Sequence, residues 1–235
     1  MLTTWTACAP GPDPTVVAGA LADRTRAAVC MLLMDGRAWT ASELARRTDV
    51  ARSTMTEHLH RLVDSGLLTE EHQGRHRYVR LSGPDAAALI ETLCGWSPTP
   101  ELASTHRAPP GWEHARTCYD HLAGRLGVSL HRALLQAGRL SVDGPTLTAA
   151  GRDWLDTLGI DLPTGSRPEA RACVDWTERR PHLAGSLGAA LLRHACDHSW
   201  LARREGRRLV VTRTGHDGLH RVYGIDPDDL GTRHD

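Results

Sequence analysis

The sequence of 235 residues contains no phenylalanine, no asparagine and no lysine, so that all 28 basic residues are arginines. We read these gaps as coding bias, which leaves the arginine count by itself without a recognition role. No run of about 18 apolar residues is present, and no basic-then-apolar leader opens the chain. A soluble, cytoplasmic protein without a membrane partner is therefore expected. The six cysteines are widely spaced and never form CxxC, which argues against a disulfide framework and makes reduced thiols the baseline. GxSxG, a phosphate-cradling glycine loop and HExxH are all missing, and we expect no enzyme. Formal net charge is zero, so attraction to a polyanion must be local. Residues 23–80 hold ten Arg against eight acids, a modest basic stripe aided by His72 and His76.

What is present is concentrated in residues 39–81. Thr40 and Glu43 have the spacing of a capping box, which starts a helix, and Thr48-Asp49 ends it. Met55, Leu59, Leu62 and Val63 then recur at helical spacing, giving one apolar stripe on a second helix over about Arg52–Ser65. Successive side chains about 100° apart turn Ser53, Thr54, Glu57, His60 and Arg61 outward, with Arg52 and Thr56 on the flanks. Gly66 fits a C-cap. LLTEE and HRYVRL, flanking His72-Gln-Gly-Arg75, read as a hairpin whose tip carries Arg75, His76 and Arg77. Two short helices, a tight turn and a hairpin form a winged helix-turn-helix, with double-stranded DNA as the expected partner.

The run SELARRTDVARSTMTEHLHRLVDSGLLTEEHQGRHRYVRL resembles the ArsR family of winged helix-turn-helix repressors. Over residues 16–95 the resemblance implies that the helix from Arg52 enters the major groove and the hairpin touches flanking backbone. It also implies a homodimer formed through segments 16–34 and 84–95. Ala51 departs from the serine common at this position in the family, leaving Thr54 or a backbone contact to cap the helix. The metal ligands many family members carry on the first helix of the motif or after the wing are absent here by residue type.

Domain limits are expected at 1–96 and 112–230, joined by the Pro/Ser/Thr-rich linker 97–111. The second domain contains an internal echo, with R-x-C-x-D and HLAGxLG in both repeats, about 114–161 and 169–226. Each repeat continues as helix, short hairpin and a helix entered through Thr-x-x-Gly. The expected fold class is mostly α with small β-hairpin wings (α+β), an N-terminal winged helix-turn-helix followed by two pseudo-repeated helix-hairpin-helix units. Each unit can be read as a degenerate winged helix or as part of a plain helical bundle.

Cys118 and Cys173 occupy equivalent places in the repeat, each close to an Asp and a His. A sensing set of Cys118, Asp120, His121, Cys173, Asp175 and His182 is one reading, and cysteines packed in the core of both copies are the other. Cys8, Cys30, Cys94 and Cys196 are read as structural. His194 and His198 share a helical face but lack further ligand signals, so they are weak metal candidates and no metal site is expected. Trp112, Tyr119, Trp154, Trp176 and Trp200 either line an organic-effector pocket or are simply the large core residues. The DNA-binding domain requires no cofactor, while the second domain can take a thiophilic metal, metalloid or small organic effector. The functional expectation is a sequence-specific regulator, a repressor released by that effector. Its alternative is a winged-helix protein-interaction module without specific DNA readout.

Overall fold

The computed structural model describes residues 13–74, 76–96, 111–165 and 167–230, and these divide into two compact units. Arg75, Cys8 and nearly all of the expected linker lie outside the described residues.

The first unit comprises residues up to Leu33 together with Ala38–Ser82. Its helices are α1 (Pro14–Leu21), α2 (Arg24–Leu33), α3 (Ala41–Thr48) and α4 (Arg52–Asp64). Its strands β1 (Trp39–Thr40), β2 (Leu68–Gln73) and β3 (His76–Leu81) form an antiparallel sheet in the order β1-β3-β2. The capping box is real: the Thr40 amide donates to Glu43 Oε2 at 2.8 Å, and the Glu43 amide donates to Thr40 Oγ1 at 3.4 Å. Asp49 in a left-handed conformation ends α3 and turns the chain into α4. Met55, Leu59 and Leu62 are buried as the stripe requires, and Val63 is half-buried. Ala51 provides no side-chain cap, nor does any other side chain among the described residues, so the first-turn amides of α4 are uncapped there.

The second unit contains Met34–Arg37 and everything from Gly83 onward. This division places residues 83–96, expected from sequence in the N-terminal domain, with the second unit. The helix α5 (Pro84–Trp96) buries Ala87, Ile90 and Glu91 within this unit. Next come strands β4 (Arg116–Cys118) and β5 (His121–Ala123), α6 (Arg125–Gln136), a single bridge between Leu140 and Leu147, and α7 (Ala149–Thr157). The same order follows in β6 (Arg171–Val174), β7 (Pro181–Ala184), α8 (Gly185–Asp197), the hairpin β8 (Leu201–Arg203) and β9 (Leu209–Val211), and α9 (Arg213–Tyr223).

The R-x-C and H-L-A segments, which carried no strand expectation, are the two strands of a hairpin in each half. Thr148 and Thr212 explain Thr-x-x-Gly, since each hydroxyl accepts the amide of the glycine three residues on, at 3.0 and 2.9 Å. With no Phe available, the core is a leucine cluster: Leu126, Leu130 and Leu134 of α6 meet Leu187 and Leu191 of α8, closed by Leu219 and Tyr223. Each fully buried leucine contributes roughly 1.5–3 kcal/mol. The two halves interlock, α6 packing on β7 and α8 on β5.

Candidate functional site

The outer face of α4 is open as the apolar stripe dictates. Arg52, Ser53, Thr54, Glu57 and Arg61 are exposed, and Thr56, half-buried, donates its hydroxyl back to the Arg52 carbonyl at 3.0 Å. Two expected DNA contacts are engaged elsewhere. Arg77 lies one residue in from the hairpin end, since Gln73 pairs with His76 and His72 with Arg77. Its guanidinium donates to Glu70 Oε1 at 2.6 Å and to His60 Nε2 at 2.9 Å. Arg77 and His60 therefore brace the hairpin against α4, because Glu70 offers a fixed opposite charge within reach. His76 is exposed at the end of the hairpin.

The second unit brings the two halves of the sequence echo together. Cys118 pairs across its hairpin with His121, and Cys173 pairs across its own with His182. Cross-strand partners point to the same face of a two-stranded ribbon, so each hairpin presents one sulfur and one imidazole side by side. The interlocked packing sets the two pairs against each other. The sulfurs of Cys118 and Cys173 lie 3.9 Å apart, and His121 Nε2 lies 3.1 Å from His182 Nε2. All four ligand atoms fall within 4.8 Å of one another, and all four residues are buried.

A second ring of charge holds this cluster. The Nδ1 of His121 lies 3.2 Å from Asp120 Oδ1, and Asp120 is gripped by both Nη atoms of Arg167 at 2.6 and 3.0 Å. The Nδ1 of His182 lies 3.4 Å from Asp175 Oδ2. Asp175 is fully buried and accepts from Arg116 Nη2 (2.9 Å), the Gly124 amide (2.6 Å), Thr177 Oγ1 (2.7 Å) and the Thr177 and Glu178 amides (3.0 and 3.1 Å). Against the cost of burial, Arg116 and His182 keep the Asp175 carboxyl well below the usual carboxylate range. Burial pushes the Cys118 thiol up, reinforced by Cys173 and by Glu91 of α5. The neighbouring Cys118 thiol, together with the His121 and His182 imidazoles, favours the thiolate at Cys173 against the cost of burial. Burial opposes charge on His121, but Asp120 and Cys173 outweigh it and raise its affinity for a proton. Two thiols and two imidazoles with opposed proton demands at van der Waals range form a donor set for a metal, or a redox pair. A small cleft lined by Pro84, Asp85, Tyr119 and Arg167 reaches Cys118 and His121.

Glycine makes this approach possible at two matched positions. A Cβ on Gly127 would lie 2.5 Å from the Leu122 carbonyl oxygen and 3.5 Å from His182 Cβ. One on Gly188 would collide with the Leu183 carbonyl oxygen and meet His121 Cβ at 3.2 Å. Gly188→Ala should therefore cost about 1–3 kcal/mol by overpacking and push His121 from His182. The denaturation midpoint of the variant checks this, and an unshifted midpoint would mean that β7 can slide freely along α8.

The remaining candidates go elsewhere. His194 Nδ1 meets Tyr223 Oη at 2.9 Å and His198 Nδ1 meets the His194 carbonyl at 2.9 Å; no third ligand joins them among the described residues. The tryptophans do not share one pocket. Trp154 and Trp200 pack on Tyr223, while Trp112 and Trp176 cover the guanidinium groups of Arg207 and Arg116. Burial pushes the thiols of Cys30 and Cys94 up to about 12 and about 11, as befits inert packing cysteines. Arg167 was not singled out from sequence, and Arg116 and Glu91 carried no role there: the readable signals were the arginine that opens R-x-C-x-D and an acid inside the apolar stretch Ala86–Cys94.

A family model described as a helix-turn-helix domain matches residues 21–71. The uncharacterized HTH-type transcriptional regulator YdfF of Bacillus subtilis (strain 168) is 36% identical over 212 residues, spanning 87% of this chain and 94% of that protein. Among solved structures, HlyU from Vibrio cholerae is 26% identical over 34% of this chain and 85% of its own, with a TM-score of 0.32. The homodimeric winged helix-turn-helix DNA-binding domain of a possible ArsR-family regulator from Mycobacterium bovis is 23% identical. It covers 43% of this chain and 100% of its own, with a TM-score of 0.34.

Proposed function

Because the chain belongs to the family of helix-turn-helix transcriptional regulators, we propose that it is an ArsR-like homodimeric repressor, released from its operator when the second unit responds to an effector. The carrying observation is the face of α4, where exposed Arg52, Ser53, Thr54, Glu57 and Arg61 stand on a buried Met55-Leu59-Leu62 stripe behind a capped α3. Serine and threonine read either groove edge, Glu57 accepts from cytosine N4, and the uncapped start of α4 favours a phosphate. His76 and Arg75 serve the flanking backbone, with Thr56 on the rim. The protein works in the cytoplasm; no helix among the described residues is long and apolar enough to cross a membrane.

Dimerisation is supported by α5, whose Leu89, Leu93 and Trp96 are exposed at helical spacing, and by exposed Val16 on α1. Residues 114–161 and 169–226 are read as two copies of one helix-hairpin-helix unit, on the strength of R-x-C-x-D and HLAGxLG. Sensing belongs to Cys118, Asp120, His121, Cys173, Asp175 and His182. Its route outward is Glu91, which lies beside Cys118 on a helix that begins three residues after β3 ends. An effector that prefers one position of α5 shifts the population of DNA-competent dimers by its differential affinity alone.

The test is selection of binding sites from random duplex DNA, then comparison with Ser53→Ala/Glu57→Ala. Each lost base contact should cost about 1–3 kcal/mol at the selected site and leave non-specific binding intact. If no sequence is enriched, or the double variant keeps the same preference and affinity, the face of α4 does not read DNA. The interaction-module reading then takes over.

A further inference from the structure

We propose that Cys118, His121, Cys173 and His182 bind one divalent cation of the zinc class as a closed tetrahedral centre joining the two halves of the second unit. The site stands on its own geometry; only its role as a sensor rests on the function proposed above.

The donor set is two soft sulfurs and two borderline nitrogens, which suits Zn2+ and disfavours Mg2+ or Ca2+. The spacing suits it as well. With Zn–S near 2.3 Å and Zn–N near 2.0–2.1 Å, the edges of a regular tetrahedron are about 3.8 Å between sulfurs and about 3.3 Å between nitrogens. The observed separations are 3.9 and 3.1 Å.

The histidines carry the strongest indication. His121 sets its Nδ1 in hydrogen-bond range of Asp120 at 3.2 Å, while the Nδ1 of His182 lies 3.4 Å from Asp175 Oδ2, an ion-pair distance without a hydrogen bond among the described residues. A carboxylate favours the proton on the ring nitrogen that faces it, which leaves the lone pair on Nε2. The two Nε2 atoms then face each other at 3.1 Å, an arrangement that is repulsive unless a proton or a cation lies between them. Carboxylate–histidine pairs of this kind are the usual outer support of a zinc ligand. Here the carboxylates are themselves fixed, Asp175 by Arg116 and Asp120 by Arg167.

Charge balance agrees with burial. Zn2+ with two thiolates and two neutral imidazoles has no net charge, and on binding each thiol that still holds its proton releases it to solvent while its sulfur donates a pair to the metal. Four protein ligands leave no position for water or substrate, which marks a structural or sensing centre and excludes metal-assisted hydrolysis. A Cys118–Cys173 disulfide is the competing use of the sulfurs. It requires about 2.05 Å between them and gives the two inward-facing imidazoles nothing to do.

The full chain, purified under reducing conditions and stripped with a chelator, is titrated with Co2+. One equivalent should give the intense visible bands of tetrahedral cobalt with sulfur-to-metal charge transfer, bleached by one equivalent of Zn2+. Zn2+ should shield two of the six cysteines from a thiol reagent, and Cys118→Ser/Cys173→Ser should abolish the bands. Should that variant not fold, Asp120→Asn keeps all four ligands and should weaken Zn2+ binding about 10–100-fold. Weak octahedral bands in the wild type, unshielded thiols, or closure of a Cys118–Cys173 disulfide by an added oxidant as fast with Zn2+ as without it would overturn the centre. Operator affinity is measured separately. Stoichiometric metal with unchanged DNA binding keeps the centre and removes metal sensing, whereas release by an oxidant or organic compound from a chain that binds no metal removes the centre and keeps sensing.

Discussion

Asp175→Ala is expected to destabilise the second unit by about 3–5 kcal/mol, the range for breaking a buried ion pair from one side. Asp175 and Arg116 have no exposed side-chain surface, and Arg116 cannot shed its proton to escape burial. Alanine leaves that guanidinium with the Trp112 carbonyl, Thr177 Oγ1 and the face of Trp176. The Gly124 amide and the turn amides of Thr177 and Glu178 lose their acceptor as well. Domains have roughly 5–15 kcal/mol in total, so much of the unit's stability rests on one carboxylate. Urea denaturation followed by tryptophan fluorescence, in chelator so that metal does not enter, measures the loss. Asp175→Asn, similar in shape but uncharged, should fall between the two. A loss under about 1 kcal/mol would mean that water reaches Arg116, contrary to the closed packing.

Glu91→Ala should cost a similar amount, about 3–5 kcal/mol, yet replacing both Glu91 and Arg207 with methionine should be neutral or stabilising by about 1–4 kcal/mol. Both side chains are 1% exposed and meet at only 3.4 Å. Among the described residues, Glu91 Oε2 and Arg207 Nε and Nη2 have no hydrogen-bond partner. Desolvation therefore outweighs attraction, while removal of one partner strands the other. Thermal midpoints of the single and double variants decide this, and a double variant as unstable as Glu91→Ala would show that the pair is worth more than its geometry. Glu91 also lies beside Cys118, so, on the proposed coupling of the second unit to DNA occupancy, a stable double variant whose operator affinity no longer responds to an effector would identify the pair as the link. An unchanged response would exclude the pair from it.

The sequence alone determined the elements whose causes are local. Thr40 and Glu43 cap α3 because the two groups are three residues apart, and Met55, Leu59 and Leu62 bury because a helix puts them on one side. The β2–β3 register follows from a short tip between two strand-forming runs. Even here, tertiary contact decided that Arg77 faces Glu70 and His60 and is not free at the tip. The equivalence of Cys118 and Cys173 was legible, and so were the neighbouring Asp and His residues. Their meeting was not. In the first half Cys and His are separated by two residues and in the second by eight, and neither interval is a metal-binding signature, because each half contributes only a cross-strand pair. Only packing α6 on β7 and α8 on β5 converts two half-sites into four converging donors, through glycines whose missing side chains admit the opposite histidine. The assignment of α5 had the same origin. Its apolar spacing specified a helix, but the partner of Glu91 lies 116 residues away in sequence, a distance no local pattern spans.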